Sequence, residues 1–439
     1  MTQGDRFVRI RKHLSPKNLF SAVRKKFEKI EDPSKRARSN KIQLVESLMS
    51  GLAVFSLKFP SLLQFEEEKS TFRMKRNLSS LYGVLEAPSD THMRRQLDEV
   101  DPIKIRPAFN RVFSLLQRGK VLEEYQYLEG HYLLSIDGTG QYSSDQIHCE
   151  ECCEKHHKNG RVEYYHQMLG ASIVYPGNPI VIPLAPEPIT KQDGASKNDC
   201  ERNAAKRLLE NIRREHPHLK LIVVEDALAS NGPHIELLQQ LNMRFILGVK
   251  PDGNKYLFDW VNLAKCETHE EIDEKGVIHR FKFLNQVPLN DTYYNLKVNF
   301  LEYWEIHPNG KTQHFSWITD FLLTKENVKK IMKGGRARWK IENETFNTLK
   351  NQGYHFEHNY GHGNKHLCSV FTMLMLLSFL IDQVLELCST LYKAARRREK
   401  RKYSLWEKMR TLFQFVEWNS WEDFLTAIIT REVPFLNTA

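Results

Sequence analysis

No run in this 439-residue sequence stays apolar for the length a lipid bilayer demands. The most hydrophobic stretch, LCSVFTMLMLLSFLIDQVL, is interrupted by Asp382 and falls short of the roughly 20 residues of a transmembrane helix. It is expected as a buried core helix, with no membrane partner. A leader is lacking too: MTQGDRFVRIRKHL is charged from Asp5 onward and has no apolar centre, which predicts a cytoplasmic protein. Cysteine is scarce. Seven residues, an odd number in a chain of this size, exclude a disulfide scaffold and read as reduced thiols. Internal repeats are missing, and the one low-complexity tract is RRREKRK, Arg396 to Lys402.

What is present is enough apolar material, 41% of residues, to build a sizeable core and exclude wholesale disorder. The length predicts roughly two to four structural units of about 150 residues each. Basic residues outnumber acidic ones, 64 against 54, for a net charge of +10. That balance favours a polyanionic partner, of which nucleic acid is the commonest.

Residues 1–39 are basic and weakly patterned and are expected as a mobile arm. Residues 40–126 read as helical. In IQLVESLMSGLAVFSLKF, the residues Leu44, Val45, Leu48, Met49, Leu52 and Phe55 fall at a helical repeat. NLSSLYGVLEAPSDTHMRRQLDEV predicts a short helix, a turn at Gly83, and a helix capped by Ser89 or Asp90. Arg94 and Arg95 lie in its first turns. The pair of helices suits a helix-turn-helix that binds DNA, and equally a plain hairpin with a wet basic face.

From Tyr127 the texture changes. YLLSIDGTG, YYHQMLGASIVY and PIVIPLAPEPI read as strands, CERNAAKRLLENIRREHP as an amphipathic helix, and LKLIVVEDALASNGPHIELLQQL as strand, acid and helix. Residues 127–242 therefore predict a mixed α/β unit. Residues 243–322 are mostly strand-like (RFILGVK, IHRFKFL, YNLKVNFLEYWEI, QHFSWITDFLL) and form a β-rich block set inside it. Residues 323–382 return to helix, and 383–439 form a basic C-terminal helical region.

Asp137 and Asp226 each end an apolar run, poorly placed for packing but well placed for a cleft at the end of a sheet. Carboxylate oxygens suit Mg²⁺, and two such ions about 4 Å apart can serve in-line phosphoryl transfer. Two ions beside an anionic substrate call for a third acid, and Glu342 on a later helix is placed to supply it. Arg338 lies four residues before Glu342 and shares its face, where it can orient the acid or contact a phosphate. An ordinary i,i+4 salt bridge explains the same spacing. Lys350, two turns on, is placed to reach a nucleic-acid backbone.

With SIDGTG carrying the first Asp, VVEDALASNGPHI the second, and RWKIE the Glu, residues 127–402 resemble bacterial insertion-sequence transposases of the DDE class. The likeness is to the broad group named after insertion sequence four. It implies an α/β protein with an RNase H-like catalytic core interrupted by a β-rich insertion, preceded by a helical N-terminal domain and followed by C-terminal helices. It further implies that Asp137, Asp226 and Glu342 are catalytic and hold two Mg²⁺ or Mn²⁺ ions, with Arg338 and Lys350 as basic partners. The implied activity is cutting transposon ends and joining them to target DNA, by a homodimer on DNA in the bacterial cytoplasm, at the nucleoid when bound. Two positions depart from the pattern: Gly335 stands where the family has a Tyr, and the gap from Glu342 to Lys350 is one residue longer than usual. Glu344 is therefore a rival third ligand. Alternative readings are a related nuclease without joining activity and an inactive DNA-binding descendant.

Three further groups stand out. In HCEECCEKHHKNG, Cys149 and Cys152 have the spacing of a zinc half-site that His156 or His157 would complete, giving a structural Zn²⁺; free thiols in a hairpin loop fit as well. The turn GYHFEHNYGHGNKH holds His355, His358, His362 and His366. Trp317, Tyr303 and Trp304 suit either a strand core or stacking on an unpaired base. Arg396, Arg397 and Arg398 are expected to contact phosphates in a salt-dependent manner.

Overall fold

The computed structural model describes residues 13–33, 42–191, 201–399 and 401–433. At its centre is strand β1, Tyr132–Ser144, whose residues Leu133 to Ile136 are all buried, as expected of a strand covered on both faces. β1 pairs antiparallel with β3, Val162–Val174, and parallel with β6, Leu221–Glu225. β6 in turn runs parallel to β7, Arg244–Gly248. Parallel neighbours need a crossover, and the helices Glu201–Glu215 and Gly232–Gln240 provide them.

Beyond β7 the sheet continues antiparallel through β11 (Thr312–Thr319), β10 (Lys297–Ile306), β9 (Ile278–Pro288) and β8 (Glu267–Ile272). On the opposite edge lie β2 (Cys153–His156) and the short β4 (Ile182–Pro183) and β5 (Glu187–Ile189), all paired with β3. The main order is β2-β3-β1-β6-β7-β11-β10-β9-β8. RFILGVK, expected in the β-rich block, instead joins the parallel strands as β7, because a short apolar run does not reveal which partner it takes. The block extends the same sheet and includes a helix, Lys255–Leu263, that the strand-like texture did not suggest.

The expected arm over residues 1–39 is corrected in part. Its helix Pro16–Phe27 buries Leu19, Phe20, Val23 and Phe27, a single apolar stripe obscured by the surrounding Lys and Arg. Residues 1–12 and 34–39 lie outside the described residues. The first and last described helices build one helical body. Buried Asn77 donates from Nδ2 to the carbonyls of Phe413 and Val416, each at 2.7 Å, and the indole N–H of Trp421 donates to Leu81 O at 2.9 Å. The ring of Trp421 stacks on Phe20.

The apolar helix runs unbroken from Leu367 to Cys388, across the expected boundary at 382/383, and is buried against Leu44–Ser56. Asp382 does not interrupt it. Its carboxylate accepts from Lys58 Nζ and the Tyr354 hydroxyl inside the core. Near the front, Gly83 takes φ +72°, and Ser89 caps the helix Asp90–Leu97 by accepting from His92 N at 3.2 Å, as the sequence suggested.

Candidate active site

The parallel pairing of β1 with β6 stops where β6 ends, while β1 continues against β3. The last residues paired between β1 and β6 are Ser135 and Val224, and the register carried two residues on sets Asp137 beside Asp226. Asp137 Oδ1 accepts from Gly138 N at 2.9 Å, and Asp226 Oδ1 accepts from Leu228 N at 2.9 Å, so each carboxylate is braced by the backbone that follows it. The third acid arrives on the segment after helix Val328–Arg336. There Ser135 Oγ donates to Arg338 O at 2.7 Å, tying the segment to β1. Arg338 NH1 then lies 3.0 Å from Asp137 Oδ2 and 2.6 Å from Glu342 Oε1.

Glu342 and Glu344 sit on a π-helical stretch, Ile341–Phe346. Such wide turns recur at functional sites because they rotate the following side chains relative to an α-helix. Glu342 shares its guanidinium with Asp137, whereas Glu344 approaches Lys340 at 3.9 Å. The geometry gathers Asp137, Asp226, Arg338 and Glu342, and it sets Glu344 apart with a different cation.

Sequence reasoning missed a fourth acid. Glu201, at the start of helix Glu201–Glu215, lays its carboxylate over Gly138, where a Cβ would displace it. Glu201 lines one cleft with Asp137, Glu225 and Asp226. An acid in a first helical turn looks like ordinary dipole pairing, so no signal set it apart. Glu225, the residue before Asp226, lines the same cleft and is engaged by His234, its Oε2 lying 2.7 Å from Nε2. A second cleft meets the first at Asp226 and is lined by Trp317, Gly335, Arg338 and Trp339. Trp339 is 52% exposed there.

Gly335 has a structural reason. A Cβ at this position would run into the Trp317 indole, so the helix presents no side chain and a strand tryptophan fills the space. Gly335→Ala is expected to cost about 1–3 kcal/mol of stability through overpacking. Part of that loss should return when Trp317→Leu is added, a coupling that a denaturant double-mutant cycle reads directly. Strict additivity of the two changes would show that the indole is not what excludes a side chain.

Asp137 and Glu342 share the Arg338 guanidinium, and Asp137, Glu201, Glu225 and Asp226 line one cleft together with Arg202 and Lys206. Burial, then the hydrogen-bonded and charged neighbour Glu342, push the Asp137 carboxyl up to about 7 against the pull of Arg338. Burial, followed by the charges of Asp226 and Glu225, raises Glu201 as well. Burial disfavours charge on His234, but Glu225 outweighs it and the imidazole is raised.

The other expected residues are scattered. Lys350 pairs with Glu357 at 2.9 Å, and Arg94 with Asp90 at 2.6 Å; Arg95 lies 3.3 Å from His92 Nδ1. Arg397 and Arg398 are exposed, while Arg396 donates to Glu399 O at 2.7 Å. Trp317 and Tyr303 belong to the core, at 5% and 0% exposure, which removes them as base-stacking platforms. Trp304 stacks on His314. Cys149 and Cys152 stand together, but His156 points to solvent beside Glu154 and does not join them. The imidazoles nearest the two thiols belong to His166 and His362, 17 and 210 residues from their cysteine partners.

No family model matches the chain, and no curated protein matches it. Among solved structures it is similar to a chain in the cryo-EM structure of the piggyBac transposase synaptic complex with hairpin DNA. Identity is 10%, coverage 99% of this chain and 84% of that one, and the TM-score 0.40. A likeness at this level leaves the function to be argued from the site.

Proposed function

We propose that the chain is a DNA transposase that cleaves element ends and transfers the freed strand to target DNA, with an RNase H-like core of the insertion-sequence-four kind. The observation that carries this reading is the bridge of Arg338 to Asp137 at 3.0 Å and Glu342 at 2.6 Å, with Asp226 at the adjoining strand end. Acids so far apart in the chain do not converge through local helix charge pairing. The strand order supports it. Antiparallel β3 and parallel β6 flank β1, β7 follows β6 in parallel, and the antiparallel strands β8 to β11 lie between the second Asp and the Glu in the chain.

The donor set fits a divalent cation, because its ligands are all carboxylate oxygens, and the acids Asp137, Glu201, Glu225, Asp226 and Glu342 outnumber the cations Arg202, Lys206 and Arg338 around them. Asp137, Asp226 and Glu342 would hold two Mg²⁺ or Mn²⁺ ions, which when bound supply nucleophile activation and charge neutralisation at a phosphodiester. Arg338 holds Asp137 and Glu342 in register and offers a second N–H face to a phosphate. Gly138 leaves room for the Glu201 carboxylate at the cleft floor. Exposed Trp339 offers a stacking surface to an unpaired base at the cut. Arg94, Arg95, Lys350, Arg397 and Arg398 supply phosphate contacts outside the cleft. Pairing of two element ends calls for a homodimer on DNA, in a bacterial cytoplasm at the nucleoid.

The test is cleavage and joining of duplexes taken from the DNA flanking the protein's own coding region, with Mg²⁺. Wild type is expected to nick and join, and EDTA to abolish both. Glu342→Gln is expected to lose at least about a hundredfold, as removal of a metal ligand should, while Glu344→Gln retains activity. The reverse ranking would overturn the third-ligand assignment. Cleavage without joined product would make the protein a nuclease, and binding without cleavage an inactive descendant.

A further inference from the structure

Away from the carboxylate cleft, four side chains that no step above uses meet at one point. Cys149 and Cys152 lie on the turn before β2, His166 on β3, and His362 just ahead of the helix Leu367–Cys388. Their ligand atoms all lie within 4.8 Å of one another. Cys149 Sγ is 3.9 Å from Cys152 Sγ and 3.4 Å from His166 Nε2, and Cys152 Sγ is 3.2 Å from His362 Nε2. A tetrahedral zinc with Zn–S of about 2.3 Å and Zn–N of about 2.0 Å separates its sulfurs by about 3.8 Å, and sulfur from nitrogen by about 3.6 Å. The observed spacings match this pattern within a few tenths of an ångström. A disulfide would need the two sulfurs at about 2.05 Å.

We propose that Cys149, Cys152, His166 and His362 form a structural zinc site. Burial favours it. Cys152 and His166 are each 1% exposed and His362 5%, and a thiol is a weak partner for a buried imidazole. A cation shared by two thiolates and two neutral imidazoles repays that desolvation. At His362 the second shell agrees, because Nδ1 donates to Gly363 O at 2.8 Å, which leaves Nε2 free as the ligand. The neighbouring Cys153 is excluded, its thiol turned toward Ile189 O at 3.7 Å. Four protein ligands leave no open position, so the site is structural and not catalytic. Its effect is mechanical: the ion clips the sheet edge to the segment between the Glu342 helix and the core helix, closing a loop of more than two hundred residues.

The experiment uses the full chain purified under reducing conditions without chelator. Elemental analysis is expected to find about one zinc ion per chain, and X-ray absorption on the wild type a shell of two sulfurs at about 2.3 Å and two nitrogens at about 2.0 Å. His362→Ala is expected to lose the metal, His362→Cys to retain it, and His156→Ala to leave it unchanged. Less than about a tenth of an equivalent, after reconstitution with zinc as well, would overturn the proposal. So would a zinc shell without sulfur, a measurement on the wild type that holds even where a variant fails to fold.

Discussion

Asp137→Asn is expected to abolish DNA cleavage and, in metal-free buffer, to raise the melting temperature at alkaline pH. The two effects share one cause. The carboxyl titrates at about 7 in the folded protein against an ordinary 3.8, first because it is buried and then because Glu342 crowds it. Below pH 3.8 the acid is protonated in folded and unfolded chains alike, and its contribution to stability is fully present. As pH rises toward and through 7 the unfolded chain ionises more readily, and that contribution is lost. Asparagine mimics the protonated acid at every pH. The gap in melting temperature between variant and wild type should therefore be absent near pH 4, grow through pH 7 and level off above it.

Adding Mg²⁺ should narrow the gap, since an ion held by the wild-type carboxylates stabilises only the folded state. Activity should fall at least about a hundredfold, as loss of a metal ligand does. Scanning calorimetry at several pH values with EDTA or Mg²⁺, beside the joining assay, reads both. A variant less stable than wild type at pH 8 without metal would refute the account of Asp137 as a crowded acid awaiting a cation.

The second large effect concerns stability alone. Asp382→Ala is expected to cost about 3–5 kcal/mol, because it strands a buried ammonium without its counter-ion. Lys58 is 1% exposed, lies over the rings of Tyr354 and Trp406 at 4.5 and 4.2 Å, and donates to Asp382 and to Ser56 O. Burial, partly offset by Asp382, holds its ammonium below the usual lysine range. Tyr354 and Tyr392 also donate to the same carboxylate. One acid thus joins the end of helix Leu44–Ser56, the loop after the Glu342 helix, and the C-terminal helices. Replacing both partners, Lys58→Met with Asp382→Leu, should regain most of the loss, as apolar replacements of buried ion pairs do. Urea unfolding measures it, and a single-variant cost below about 1 kcal/mol would mean that water reaches the ammonium.

The two aspartates were legible because an acid directly after a buried apolar run has few structural uses, and Glu342 through the resemblance carried by RWKIE, since the Arg338 spacing alone suits an ordinary salt bridge. What the one-dimensional pattern could not carry was partner choice across the chain. Glu201 looked like a helix-start acid until Gly138 was seen beneath it. The zinc half-site was visible in Cys149 and Cys152, but nearest-neighbour spacing favoured His156, whereas the fold brings His166 and His362. Likewise Gly335 read as a departure from the transposase pattern, and only the sheet revealed the Trp317 ring occupying its place. The stripe of helix Pro16–Phe27 was hidden by composition, since six buried residues in twelve are easily outvoted by the lysines and arginines between them.

Asn77 and Leu81 take hydrogen-bonding partners from Phe413, Val416, Trp418 and Trp421. On a translating ribosome the front helices must therefore wait for more than three hundred further residues, some 15–65 s at about 5–20 residues per second. During that interval their apolar faces are clients for chaperones. A chain cut short before Phe413 would leave the Asn77 amide and the Leu81 carbonyl without these partners.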